Sequence, residues 1–372
     1  MQKFNSKVKM NEDEFAYLNN DSNGLFIEYF NMKTGQFVQS GLLVEDEKGT
    51  YKINGKSFLD NEVEPERRHM PSLLDIAIAG SCTTCNSCGV GCYLKAKSNP
   101  SPDMSVETFE KIIKEVSPHV FQVALAGYGN INYCKDFEEY LKICRKYDVV
   151  PNFTTAMITK EQAEIAAKYC GSVAVSWHPT NGDYSKPQKY TLDSLNNLYE
   201  AGIKPSIQYV VSKSSIPSLI DYFRFGKFDE KKINTVTLLK YKTTGDADPD
   251  EVIDVDSKDF LTLCVIINNW SPFAHRGMRL SADSCTMAQI QDKCDGIDKR
   301  SILLCEAGRY SAWITMKPEL RVFPCSIANE KIEYAEKYIA GASDFKRIWS
   351  SDNFNSFRCA NRKACSGRCA AY

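Results

Sequence analysis

The sequence predicts an α/β fold with a partial (β/α)6 barrel at its centre, on three observations. From Leu73 onward, short apolar runs alternate with stretches of helical period. The runs are near-continuously apolar, as parallel strands buried on both faces are. Six such units follow one another before the alternation weakens near residue 245, two short of a closed eight-fold barrel.

The strands are expected at residues 73–79, 120–126, 149–153, 173–176, 206–211 and 236–240. Between them, Ser105 is placed to cap a helix that carries Phe109, Ile112, Ile113 and Val116 on one face. Phe137, Tyr140, Leu141 and Cys144 repeat that spacing. Thr159 and Gln162 have the form of a capping box, with Gly171 at the far end of that helix. Leu192, Leu195 and Leu198 form a further stripe, closed by Gly202.

Two modules flank the barrel at 71–245. Residues 1–70 read as a small β-rich unit: a strand at 24–30, a turn from Asn31 to Gly35, and a partner strand at 36–43. The charged stretch 61–69, with Pro65, reads as a linker. Residues 246–372 read as a separate cysteine-rich module. It holds a helix over 257–270 and a hairpin of 310–315 and 320–323 about Lys317 and Pro318.

Composition narrows the function. The chain has 372 residues, 43% hydrophobic and 25% charged, with net charge −1, so no nucleic-acid surface is expected. No apolar run reaches the length of a membrane span, and the polar start, residues 1–11, gives no expectation of a secretory signal. The 15 cysteines are clustered: four at Cys82, Cys85, Cys88 and Cys92, and three at Cys359, Cys365 and Cys369. Close-spaced thiols serve metal or redox chemistry in a reducing compartment, so a cytoplasmic protein is expected.

The first cluster follows directly on the first barrel strand, in a loop of small residues that lets thiolates converge on one centre. Four thiols in one loop favour iron–sulfur chemistry over zinc, whose sites more often pair two distant ligand pairs. This loop, its place after the first strand and the aromatic Tyr93 after Cys92 resemble the radical S-adenosylmethionine (SAM) enzymes over residues 73–242. The family spaces three cysteines by three and then two residues, and no three of these four have that spacing. By position the resemblance assigns Cys82, Cys88 and Cys92 to a 4Fe-4S cluster, with Cys85 as the alternate.

The resemblance implies the rest of a SAM site. Gly127, Tyr128, Gly129 and Asn130, ending the second strand, stand where the family has its glycine-rich motif, with Asn130 near the usual acidic position. Tyr93, Thr154, Ser176, Gln208, Ser212 and Leu239 are the remaining expected SAM contacts, and His178 lies near the ribose or substrate. The fourth iron of such a cluster binds SAM. One-electron reduction then yields a 5′-deoxyadenosyl radical that abstracts hydrogen.

The C-terminal cysteines resemble the SPASM auxiliary-cluster domain of peptide-modifying and sulfatase-maturing radical SAM enzymes. Cys359, Cys365 and Cys369 have five and three residues between them, but Ser356 stands where a further cysteine belongs. One auxiliary 4Fe-4S cluster is expected on Cys305, Cys325 and Cys369, with Cys359 or Cys365 supplying the rest; the zinc alternative uses the same thiols. Cys144, Cys170 and Cys264 read as small buried hydrophobes, and Cys134, Cys285 and Cys294 carry no assignment. The pairing of loop and tail implies a maturase that crosslinks a precursor peptide through a thioether or carbon–carbon bond. A flavodoxin- or ferredoxin-type electron donor is expected with it. The alternatives are sulfatase-maturing oxidation of a protein Cys or Ser, and a non-enzymatic iron–sulfur or zinc protein.

Overall fold

The computed structural model describes residues 6–21, 24–39, 43–45, 51–53, 69–82, 88, 91–96, 100–291, 293–296, 305–317 and 319–364. The linker expected at 61–69 lies outside these apart from His69, as do Cys85, Pro318, Cys365 and Cys369.

The N-terminal module is an antiparallel sheet of β1 (Lys7–Lys9), β2 (Glu14–Asp21), β3 (Gly24–Asn31), β4 (Phe37–Gln39), β5 (Leu43–Glu45) and β6 (Tyr51–Ile53). The turn from Asn31 to Gly35 forms as expected. Asn31 Oδ1 accepts the amides of Lys33 and Thr34, and Gly35 supplies φ +70°. Of the partner strand expected at 36–43, the described residues form β4 and the start of β5, both paired with β3, and 40–42 lie outside the described residues. Phe15, Tyr17 and Phe30 pack on Phe121 and Val150, and the Phe30 and Phe121 rings stack 5.4 Å apart. Lys7 Nζ caps the carbonyls of Val120 (3.1 Å) and Asp148 (2.7 Å).

The six expected strands are all present: β7 (Leu73–Ala79), β8 (Gln122–Gly127), β9 (Val150–Thr155), β10 (Ser172–Ser176), β13 (Ser206–Val211) and β14 (Thr235–Lys240). They pair in parallel in the order β14-β13-β10-β9-β8-β7. A small hairpin, β11 (Pro179–Thr180) with β12 (Asp183–Pro187), follows β10. Phe121 immediately precedes β8 and Val150 opens β9, so the N-terminal sheet is anchored where the barrel strands begin.

The sheet is longer than six strands. Beyond β14 lies β15 (Arg279–Ala282), in parallel; beyond β7 lies β16 (Ser311–Thr315), also in parallel. The expected hairpin is β16 with β17 (Arg321–Phe323), and β18 (Glu336–Lys337) extends it to a ten-stranded sheet. The cysteine-rich segment is thus hydrogen-bonded directly into the barrel.

Helices α1 (Val106–Val116), α2 (Phe137–Lys146), α3 (Lys160–Tyr169), α4 (Lys189–Glu200), α5 (Ile216–Arg224) and α6 (Lys258–Asn268) cover the outer face. Ser105 caps α1 through Thr108, and its four expected apolar residues are buried. Thr159 and Gln162 form the complete capping box of α3. Gly171 is not in the left-handed region. A Cβ there would stand 2.5 Å from Val150 Cγ1, so close packing requires the glycine. The α4 stripe differs: Leu192 is 44% exposed, and Thr191, Ser194, Leu195 and Leu198 face the core. Steps of three residues drift around a 3.6-residue helix, whereas 191, 194, 195 and 198 hold one face. The C-terminal segment adds α7 (Ser284–Ile290), α8 (Phe345–Trp349) and α9 (Asp352–Ala364). No described helix is long and apolar enough to cross a membrane.

Candidate active site

The loop after β7 is held from three sides. Its return leg bonds to the strand end through Ser101 N to Gly80 O (2.9 Å) and Met104 N to Ile78 O (2.9 Å), and Gly80 N donates to Asp103 Oδ1 (2.8 Å). The end of β8 presses on it from beside, with the register shifting between Ala77 and Ala79. A Cβ on Gly129 would lie 1.9 Å from Ser81 O, and one on Gly127 2.4 Å from Ala79 O. The glycines of this motif therefore let backbone meet backbone next to Cys82. From the third side, Asp246 N donates to Cys92 O (2.9 Å) and Thr244 Oγ1 to Tyr93 O (3.2 Å).

A cavity of 480 Å³ opens at the C-terminal ends of the parallel strands, within the range of small-molecule sites. Its walls carry Cys82, Cys88 and Cys92, with Tyr93, Gly127, Tyr128, Gly129, Asn130, Ser176, Gln208 and Leu239. Ser176 and Gln208 are register partners on β10 and β13 and so stand side by side. Thr154 pairs with Ala174, one pleat deeper than Ser176, and does not line the cavity. Ser212 does not either: it is buried, and it exchanges hydrogen bonds with Ser215 at the start of α5. Asn130, in the place of the family's acidic residue, accepts from Ala156 N at 2.9 Å and so ties β8 to β9. His178 is in the wall, its Nδ1 3.0 Å from Tyr190 Oη, and burial lowers its pKa to about 4, so it is neutral near pH 7.

Soft thiolates from one loop, opening into one cavity, are the donor set an iron–sulfur cluster takes. Among the described residues, no three His, Cys, Asp or Glu side chains lie close enough together to hold a metal ion. The ligand set therefore rests on the donors and their shared cavity.

A second group of thiols lies where the C-terminal segment joins the barrel. Cys285 on α7, Cys305 and Cys325 pack around Ala307, Ile327, Ala328 and Phe357. Cys285 was not legible as a member of this group, because it meets the others only through the fold. Burial, with Asp283 adding to it, pushes its thiol upward. Cys359, two residues after the buried Phe357, is exposed on α9. Cys144 and Cys264 are buried as expected, Cys134 is buried as well, and Cys170 is half-buried at the end of α3. Cys294 is also buried, its sulfur 3.7 Å from Cys264 O.

Half-buried charges lie between the two thiol groups. Burial raises Asp75 to about 6, against the pull of Lys242. Burial, Asp75 and Asp283 raise Glu306 to about 7. Burial works against the Lys242 ammonium, but the acidic groups around it, Tyr93, Asp283, Cys285 and Cys325 when ionised, shift its pKa upward overall. Lys242 Nζ lies 4.8 Å from the Tyr93 ring centroid.

Parallel strands that end in a cysteine-bearing loop over such a cavity are the arrangement expected from the resemblance of the sequence to the radical SAM enzymes. Solved structures carry the comparison further. The chain is similar to Streptococcus suis SuiB bound to precursor peptide SuiA, with TM-score 0.67 and 17% identity over 97% of this chain and 93% of that one. SuiB bound to S-adenosylmethionine matches with TM-score 0.62 and 19% identity over 82% of this chain and 72% of that one. Native anSMEcpe with bound AdoMet matches with TM-score 0.55 and 16% identity over 81% and 90%. At these identities the likeness establishes the fold. No family model and no curated protein matches the sequence.

Proposed function

We propose that this chain is a radical SAM peptide maturase, which uses a 5′-deoxyadenosyl radical to crosslink a precursor peptide through a thioether or carbon–carbon bond. The observation that carries this reading is the single cavity shared by three loop thiols and the β8 glycine turn. When bound, a 4Fe-4S cluster supplies the electron that cleaves SAM. Cys82, Cys88 and Cys92 would hold it, with Cys85 as the alternate. Tyr93, the Gly127–Asn130 turn, Ser176, Gln208 and Leu239 would seat SAM. Neutral His178 offers a hydrogen bond without adding charge. The half-buried Asp75, Lys242 and Glu306 would face the peptide.

Cys285, Cys305 and Cys325 would hold an auxiliary cluster, with a fourth thiol from Cys359, Cys365 or Cys369. The likeness to SuiB spans 97% of the chain and that to anSMEcpe 81%, which supports the peptide reading over the sulfatase-type alternative. A flavodoxin or ferredoxin would supply electrons.

The test is anaerobic reconstitution with iron and sulfide, metal counting, and assay of 5′-deoxyadenosine after reduction. About four irons mean one cluster and about eight mean two. Single Ala substitutions at Cys82, Cys88 and Cys92 should each abolish SAM cleavage, and Cys85→Ala should spare it. Tightly held zinc in place of iron, or no 5′-deoxyadenosine from the reduced protein, would sink the reading.

A further inference from the structure

Lys317 lies at the end of β16, in the connection that turns the hairpin back toward β17. It is only 8% exposed, unusual for a lysine. Its Nζ sits 3.5 Å from the centroid of the Tyr128 ring. Its amide bonds to Thr315 Oγ1 (3.3 Å), and that hydroxyl is 3.4 Å from Tyr128 Oη. Tyr128 is sandwiched: one neighbouring glycine presses on the cysteine loop, and its ring packs in a cluster with Ala77, Trp313 and Phe323, against which Cys82 and Cys92 also rest. Lys317 itself is not in the cavity wall, whereas Lys240 and Lys242 are. A cation has thus been desolvated behind the wall, against the tyrosine of the SAM turn. Burial pulls its pKa down.

A cluster on three thiolates is anionic and gains one more negative charge on reduction. A fixed cation on the Tyr128 ring, against whose cluster Cys82 and Cys92 pack, favours the reduced form, because charge near such a centre is one of the levers that set its potential. We infer that Lys317, delivered by the C-terminal hairpin through Tyr128, is a positioning residue that raises the reduction potential of the centre held by the 82–92 loop. The inference rests on the functional reading above and goes beyond it: it makes the C-terminal segment a determinant of electron entry at the first site.

The experiment uses the full chain, reconstituted anaerobically, as wild type, Lys317→Met and Lys317→Arg. Iron and sulfide are counted. The midpoint potential is then measured by dithionite titration followed by electron paramagnetic resonance, on the signal that added SAM perturbs. Lys317→Met should carry full iron but shift the oxidised-to-reduced ratio at fixed potential about tenfold toward oxidised, which is about 59 mV for one electron. Lys317→Arg, which keeps the charge, should stay within about threefold of wild type. If the methionine variant fails to load, Lys317→Gln replaces it in the same measurement. Full iron with an unmoved potential overturns the inference alone, as does an equal shift in the Met and Arg variants. A wild-type chain that takes up no iron overturns the functional reading and this inference with it.

Discussion

At the scale of single residues, His178 shows how the cavity wall selects a protonation state. Its folded pKa is lowered to about 4 by burial, against 6.5 for the free side chain. The unfolded chain therefore binds a proton between those values that the folded chain refuses. The stabilising contribution is complete above pH 6.5 and is lost as pH falls toward 4, by at most about 3 kcal/mol. Denaturant unfolding of wild type and His178→Asn across that window should show the loss flattened in the variant. Equal pH slopes in the two proteins would mean that the imidazole stays hydrated. Sequence alone does not reveal this burial, because it depends on β10 ending against α4, where Tyr190 meets the imidazole.

At the scale of elements, the site is a clamp made of strand ends. The motif Gly127–Asn130 was legible as a glycine turn after a strand, but its reason was not. Gly129 is needed because Ser81 O comes within 1.9 Å of where a side chain would begin, and Ser81 is 48 positions earlier in the chain. Gly129→Ala should cost about 1–3 kcal/mol of stability and reduce iron loading by the 82–92 loop, read by melting and by metal counting. Wild-type values in both would show that the loop yields at no cost.

Helices α1 to α4 and α6 and the central strands were legible because their signals are local: caps, apolar stripes and β-rich runs. What escaped was set by distance or brevity. Strand β15 has four residues of alternating exposure, too short for a period to register. Strand β16 was expected only as half of a hairpin, because its pairing with β7 joins segments 238 residues apart. Cys285 follows from the same cause, since α7 reaches Cys305 and Cys325 only once both edges of the sheet are in place.

At the scale of the whole molecule, the N-terminal sheet is a satellite joined to the barrel by a compact aromatic seam. Phe30→Ala removes the ring stacked on Phe121 and should cost about 3–5 kcal/mol at that seam. Hydrogen exchange should quicken through β2 and β3 while β7 to β14 keep their protection. Uniform quickening would mean that satellite and barrel unfold as one unit.

That seam lies at the edge where the barrel strands start, and the thiol loop lies where they finish. A strand such as β8, six residues long, separates the two levels by roughly 20 Å. A guest chain gripped along the satellite's outer strand would have to climb that height before any of its carbons met the radical. Its address and its point of attack would then be separated by at least about six extended residues, so that trimming this spacer would silence turnover while leaving capture intact.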